Sequence, residues 1–477
     1  MYDFDYEIDR ITVAQSLLLM TFWYETPDDQ KNTWHWLGIA ISVAYTIGLH
    51  RNPEKLKIEP KKKKLRKRIW WSCFMRDRLV ALGMMRPIRI QDDAYDVPML
   101  TEEDFEISST SHNVTIISSY CTLAGDIKAQ RQLAQMCISK TKLCTCVSHV
   151  LTAQHSFIIL ARGPQGQDGY SRPDAVPLLK LLDQASEVKR CDEELNKWAA
   201  KLPECCLYRE KVDPGTSGAL VFLQRSLLHM VYFATVSALH RPQLFFSGPT
   251  TKRDKYQELR DLSLKKVRLA SKEITCILQR LYENRLDRYL PPTGVTVLLP
   301  AVIVHLRDIK EGNGAARQTA MDGFCQCMAV LETLKDIYSS ANFAIQLIEA
   351  ALRKVDIDTK KCSLEPRESV GCDDEPLTVI DDLIEGVYMF PNVSRHTPSL
   401  SEEGSIHLLA NRTADTRIIM DEDFYHSTSV ALTPAGLEAP AKTSTATTNS
   451  DLIRNYNSNG VETPGLVDVG SDINIYG

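Results

Sequence analysis

An all-α fold is predicted by three observations. Apolar residues recur at three- and four-residue spacings through most of the first 359 positions, and sustained alternation, the mark of a half-buried strand, is almost absent there. Glycine and proline clusters interrupt the periodic stretches at 163–169, 213–218 and 291–294, where loops are expected. Finally, 477 residues with 44% hydrophobic and 25% charged content supply apolar surface for more than one small core.

The elements follow in order. Positions 13–19 form a short apolar helix, and Thr26 to Asp29 a turn. Between 34 and 51 a second helix places Leu37, Ile41, Ala44 and Ile47 on one face. Gly48 suits a left-handed exit from it, and Gly38, one turn before Ser42, leaves room for a neighbouring helix. A basic, aromatic helix spans 65–79 and runs out at Gly83, Arg86 and Pro87. Asp77 lies between Arg76 and Arg78, which predicts a neutralising ion pair, since a guanidinium matches a carboxylate in shape and charge. Periodic stretches at 123–160 and 178–198 give two more helices.

Leu220, Leu223, Leu227, Val231, Ala234 and Ala238 make a stripe that stops at His240-Arg241-Pro242, because proline cannot continue a helix interior. Val267, Ala270, Ile274, Ile277 and Leu281 make the next, backed by Lys265, Lys266, Lys272 and Arg280. Helices at 295–306, 324–338 and 343–352 complete the body.

Charge divides the chain more sharply than hydropathy. From 360 onward there are 19 acidic and 8 basic residues, a net of −11, which leaves +6 for the rest of a chain of net charge −5. This tail lacks tryptophan and is rich in Ser, Thr, Asn and Pro, so it cannot bury enough apolar surface to offset the entropy of ordering. Two domains are expected: a helical body over 1–358, with a sub-boundary at 163–177, and a disordered acidic tail over 359–477. Inside the tail, 373–390 interleaves acids with bulky apolar groups. That pattern fits an activation segment that recruits transcription machinery. It also fits a short helix packing back on the body, since Val379, Ile380, Leu383, Ile384 and Val387 have helical spacing.

Several function classes lose ground. No apolar run approaches the roughly 18 residues of a membrane helix, and the acidic start is unlike a secretory signal, so no membrane partner and an intracellular setting are expected. The thirteen cysteines include no Cys-x-x-Cys pair and read as reduced structural thiols. No His-Glu-x-x-His pair, Gly-x-Ser-x-Gly elbow or phosphate-cradling glycine loop occurs, and Glu102, Glu103 and Asp104 read as a polar loop. No catalytic residue, no metal ligand and no resident cofactor are assigned.

Two constellations stand out. Lys61, Lys62, Lys63, Lys64, Arg66, Lys67 and Arg68 form a basic run that reads either as a nuclear-import or phosphate-contacting patch or as a solvated first turn of the following helix. Trp34, Trp36, Trp70 and Trp71, with Trp23 nearby, read either as the lining of an apolar effector pocket or as core. His35, flanked by two of them, reads as a packed residue.

The order of pieces resembles the fungal-specific transcription factor domain, the middle homology region of binuclear zinc cluster regulators. The pieces are the first helix with Gln15, the 34–51 helix ending Gly48-Leu49-His50-Arg51, Leu65-Arg66-Lys67-Arg68 before Trp70-Trp71, and Arg76-Asp77-Arg78. Arg86-Pro87, Asp96-Val97-Pro98 and His240-Arg241-Pro242 extend the likeness to about Leu352, and the cutinase transcription factor group is the most similar in look. The resemblance implies an all-α regulatory domain of a nuclear transcription regulator, with a homodimer and a small-molecule effector as candidate partners. It also implies DNA contact through six cysteines holding two zinc ions, a cluster these 477 residues do not contain. DNA is therefore expected only through a zinc cluster encoded upstream or carried by a partner. The alternative is a helical interaction protein that dimerises with full-length regulators without itself touching DNA.

Overall fold

The computed structural model describes residues 6–22, 31–84, 86–108, 122–162, 178–213, 215–244 and 253–355. The chain divides into two units, Met1–Thr433 and Pro434–Gly477, and every described residue belongs to the first. The turn expected at Thr26 to Asp29, the sub-boundary at 163–177, the acidic tail and the 373–390 segment lie outside the described residues.

The described residues form ten α-helices joined by short 3-10 turns, with no strand among them. The helices are α1 (Arg10–Met20), α2 (Thr33–Thr46), α3 (Pro60–Met84), α4 (Ile127–Arg162), α5 (Leu178–Ala200), α6 (Thr216–His240), α7 (Arg253–Glu283), α8 (Pro292–Glu311), α9 (Gly314–Lys335) and α10 (Ser339–Val355). All-α is the architecture the spacing predicts.

Local chemistry sets the ends. The Asp9 carboxylate caps α1 by accepting from the backbone N–H groups of Ile11 and Thr12 at 3.1 and 3.2 Å. Asn32 caps α2 in the same way through Trp34 and His35. Beyond α2, Gly48 takes φ +69°, the left-handed region its lack of Cβ allows. One boundary differs from the sequence reading: α3 begins at Pro60 and not at 65, so the lysine run forms the helix's own first turns. α6 stops at His240, where the proline two residues on was expected to end it, and the chain then turns once more as a 3-10 helix, Arg241–Leu244.

The helices pack largely as sequence neighbours: α1 on α2, α8 on α9 and α9 on α10. α6 is the central element, touching α4, α5, α7 and α8. One apolar core runs from Leu17 on α1 to Leu352 on α10, and a small satellite joins Leu244, Val267 and Val304. Two helical spans, Thr216–Leu244 and Pro292–Glu311, are long and apolar enough to cross a membrane. In the fold, 67% and 61% of their most apolar windows are buried against protein, which identifies them as core helices.

The α7–α8 contact carries a buried histidine. His305 Nε2 lies 2.8 Å from Thr275 Oγ1 and 3.2 Å from Ser271 Oγ, and burial pushes its pKa down to about 4. The unfolded chain then binds a proton near pH 6.5 that the folded chain refuses until about pH 4. Stability is unaffected above the unfolded value and falls as pH drops through that window. Urea titrations at pH 7 and pH 4.5 are expected to show a loss of about 2 kcal/mol that a His305→Gln chain lacks. An equal acid loss in both chains would contradict this.

Candidate functional site

The basic run heads α3, where cations oppose the helix dipole, so its residues need partners. Four of the seven have them. Lys67 Nζ pairs with Asp104 Oδ2 at 2.6 Å, both groups buried. Lys63 Nζ donates to Glu54 O at 3.0 Å. Arg66 donates to Ile47 O, and Arg68 donates to Asp104 O while its other amino group lies 3.5 Å from the Glu106 carboxylate. Lys61, Lys62 and Lys64 form no hydrogen bond or ion pair among the described residues, and the first two are exposed. The Glu102–Asp104 stretch is correspondingly not a plain polar loop. It is a 3-10 turn whose Asp104 is buried under Lys67, and whose Glu102 carboxyl is lowered by Gln135 and then Arg131.

Two turns further along α3 lies a fully buried ion pair. Arg78 Nη1 donates to Asp77 Oδ2 at 2.7 Å, and neither side chain touches solvent. Arg78 also donates through Nε to Ser148 Oγ on α4 at 2.8 Å and through Nη2 to Asp92 Oδ1 at 2.8 Å, and it stacks 3.9 Å above the Phe74 ring. The Asp77 carboxylate accepts from the backbone N–H groups of Arg89 and Ile90 at 3.1 and 3.0 Å. Burial pushes the Asp77 carboxyl up, while Arg78 and these two N–H groups pull it down. One carboxylate and one guanidinium thus bind α3 to α4 and to the 86–92 stretch. Arg76 leaves this pair alone and turns to the end of α1, where it donates to the Thr21 hydroxyl at 2.8 Å and lies 4.0 Å above Phe22.

The four tryptophans fall into different settings. Trp70 and Trp71 are fully buried in an aromatic cluster, each 5.6 Å from Tyr95 between ring centroids, and Trp70 is also 5.6 Å from Tyr45. Trp71 Nε1 donates to Pro98 O at 3.0 Å. Trp36 is buried on α2, edge-on to His35 at 5.0 Å. Trp34 is half-buried beneath two cations, Arg89 at 3.9 Å and Arg86 at 5.0 Å from its ring. The space at Gly38 is used by Arg89 and not, as expected, by another helix: a Cβ there would stand 2.9 Å from Arg89 Nη1.

A cavity of about 220 Å³ opens between α4 and α6 and is lined by none of these tryptophans. Its walls are mainly apolar, with Met136, Leu220 and Leu227, and also include Lys140 and Gln224. Among the described residues no three His, Cys, Asp or Glu side chains converge as a metal site.

Sequence reasoning missed a second polar node. His240, read only as part of a helix stop, is buried, with Nε2 3.2 Å from Asp192 Oδ1 and Nδ1 3.1 Å from Ser263 Oγ. Lys266 Nζ holds the same carboxylate at 3.1 Å. Asp192 is pulled down against its burial by His240 and Lys266. A histidine at the end of an apolar stripe, unable to stay unpartnered when buried, was the available signal.

Comparison with known proteins bears on the same region. Residues 1–200, which contain the basic run, the tryptophans and the Asp77–Arg78 pair, match the family described as fungal specific transcription factor domain. Cutinase transcription factor 1 beta of Fusarium vanettenii is 51% identical over 360 residues, 75% of this chain and 41% of that protein. Transcription factor cpaR of Aspergillus oryzae is 30% identical over 362 residues, 74% of this chain and 58% of that one. Cutinase transcription factor 1 alpha of Fusarium vanettenii is 28% identical over 354 residues, covering 74% and 34%. The matches span between about a third and three fifths of these relatives' lengths. No solved structure matches. Over residues 1–200 this chain matches the fungal specific transcription factor domain, and over three quarters of its length it is similar to proteins named as transcription factors.

Proposed function

We propose that this chain is the regulatory region of a fungal transcription regulator acting in the nucleus, and that it controls transcription by contacts and not by catalysis. The observation that carries this reading is the coincidence of the family match with the part of the fold held by the Asp77–Arg78 pair. Relatives named as transcription factors over three quarters of the chain support it. DNA is reached through a zinc cluster outside these residues or on a partner, and the two zinc ions belong to that cluster. The body supplies the surface for a homodimer or a related regulator, and the acidic segment at 373–390 recruits transcription machinery. Within the tryptophan set, an effector would be met at the half-buried Trp34 ring, beside Arg86 and Arg89.

Two experiments test this reading. Residues 373–390 fused to an unrelated DNA-binding module are expected to raise reporter output several-fold over an inert linker of equal length; no rise removes the activating role. The second separates import from structure within the basic run. Lys61, Lys62 and Lys64 replaced together by alanine are expected to lower the nuclear fraction of the tagged chain. Stability should stay within about 0.5 kcal/mol, as for other surface changes away from specific contacts. Lys67→Ala, which leaves the Asp104 carboxylate buried and unpaired, is expected to lose about 3 kcal/mol. An unchanged nuclear fraction in the triple variant would remove the import role.

A further inference from the structure

Cys205 and Cys206 occupy the 3-10 turn Glu204–Cys206 between α5 and α6, and their sulfurs are 3.9 Å apart. Cys206 is buried and Cys205 half-buried. Side chains from α6 hold both carbonyls: Arg225 Nε donates to Cys205 O at 3.0 Å, and His229 Nε2 lies 2.9 Å from Cys206 O. From α4 the Ser139 hydroxyl donates to Cys206 Sγ at 3.6 Å. Arg225 is 2% exposed and forms no ion pair among the described residues. Burial lowers the Arg225 pKa, and the anions that would offset it include Asp213 and, when ionised, these two thiols, so the cation favours a thiolate beside it.

We propose that Cys205 and Cys206 are an oxidation site for hydroperoxides, closing to a disulfide between adjacent residues. Cys205 is the attacking sulfur because solvent reaches it, whereas burial pushes the Cys206 thiol up to about 11. Cys205 loses its proton to water, and its thiolate attacks one peroxide oxygen and breaks the O–O bond. The other oxygen leaves as an alkoxide that takes up a proton. Cys206 sulfur then attacks the sulfenic sulfur of Cys205, and its proton departs with the hydroxyl as water. Two thiols and one hydroperoxide give one disulfide, one alcohol and one water; the two electrons pass from sulfur to oxygen. Closing the small ring rotates the intervening peptide, so the Cys205 carbonyl moves from Arg225. The turn's attachment to α6, which with α4 walls the cavity, changes with it.

The test uses the full chain, reduced and then treated with limiting tert-butyl hydroperoxide, alkylated and digested with trypsin. Cleavage after Lys201 and Arg209 isolates a peptide whose only cysteines are these two. That peptide is expected to appear two hydrogens lighter than its dithiol and unalkylated, about tenfold sooner than oxidation of the exposed Cys276. Dithiothreitol is expected to restore it. A sulfenic-acid trap is expected to label Cys205 in a Cys206→Ser chain, and Arg225→Gln to slow labelling with helical circular dichroism unchanged. A dialkylated peptide persisting after Cys276 has reacted would overturn the proposal. Labelling that is as fast in Arg225→Gln would do the same for the role of the buried cation.

Discussion

Replacing Asp77 with alanine is expected to remove about 3–5 kcal/mol of folding stability. Three consequences add up. The Arg78 guanidinium, with no exposure, keeps as its carboxylate partner among the described residues Asp92, which is 39% exposed and weakened by water. The backbone N–H groups of Arg89 and Ile90 lose their acceptor inside the fold. An unsatisfied buried donor costs about 1–3 kcal/mol, so these two alone account for much of the loss. The 86–92 stretch also loses two of its ties to α3, keeping Arg78–Asp92 and the Arg86 N–H on Ala81 O. The loss is expected to shrink when the pair is removed together, in Asp77→Leu with Arg78→Met, since two apolar groups leave no charge stranded. Urea unfolding of the full chain measures both. A single-variant loss below about 1 kcal/mol would show that the pair is not the tie described.

Trp70→Ala is expected to lose about 3–5 kcal/mol, the range for deleting a fully buried indole. Its ring meets Tyr45, Tyr95 and His50 at 5.6, 5.6 and 6.1 Å, so the vacancy opens where four aromatic groups converge. Trp70→Phe is expected to lose far less, because Trp70 Nε1 has no acceptor among the described residues and no hydrogen bond is forfeited. Trp34→Ala, at a half-buried ring under Arg86 and Arg89, is expected to stay below about 2 kcal/mol. Thermal or urea unfolding ranks the three. A larger loss for Trp34 than for Trp70 would reverse the assignment of core and surface among the tryptophans.

The helices were legible because a buried stripe must recur with the helical period wherever one face meets a core, as at Leu223, Leu227 and Val231. The earlier start of α3 has a tertiary reason: Lys63 and Lys67 are answered by Glu54 and Asp104, which lie outside the helix. The polar network was only partly legible. Asp77–Arg78 could be read because its members are adjacent in the chain. Lys67 and Asp104 lie 37 positions apart, Arg78 and Ser148 lie 70 apart, and His240 and Asp192 lie 48 apart. Nothing in local spacing reports such pairs; they exist because burial obliges each polar group to find a partner. The same holds for Gly38, whose missing Cβ could be seen to admit something, but not that the visitor is Arg89.

The most direct test of the regulatory reading tethers the full 477-residue chain to a promoter through an unrelated DNA-binding module and measures transcript from the reporter. Output is expected several-fold above the module alone, falling back when 373–390 is deleted. Output equal to that of the module alone, from a chain shown to be folded and present in the nucleus, would contradict it.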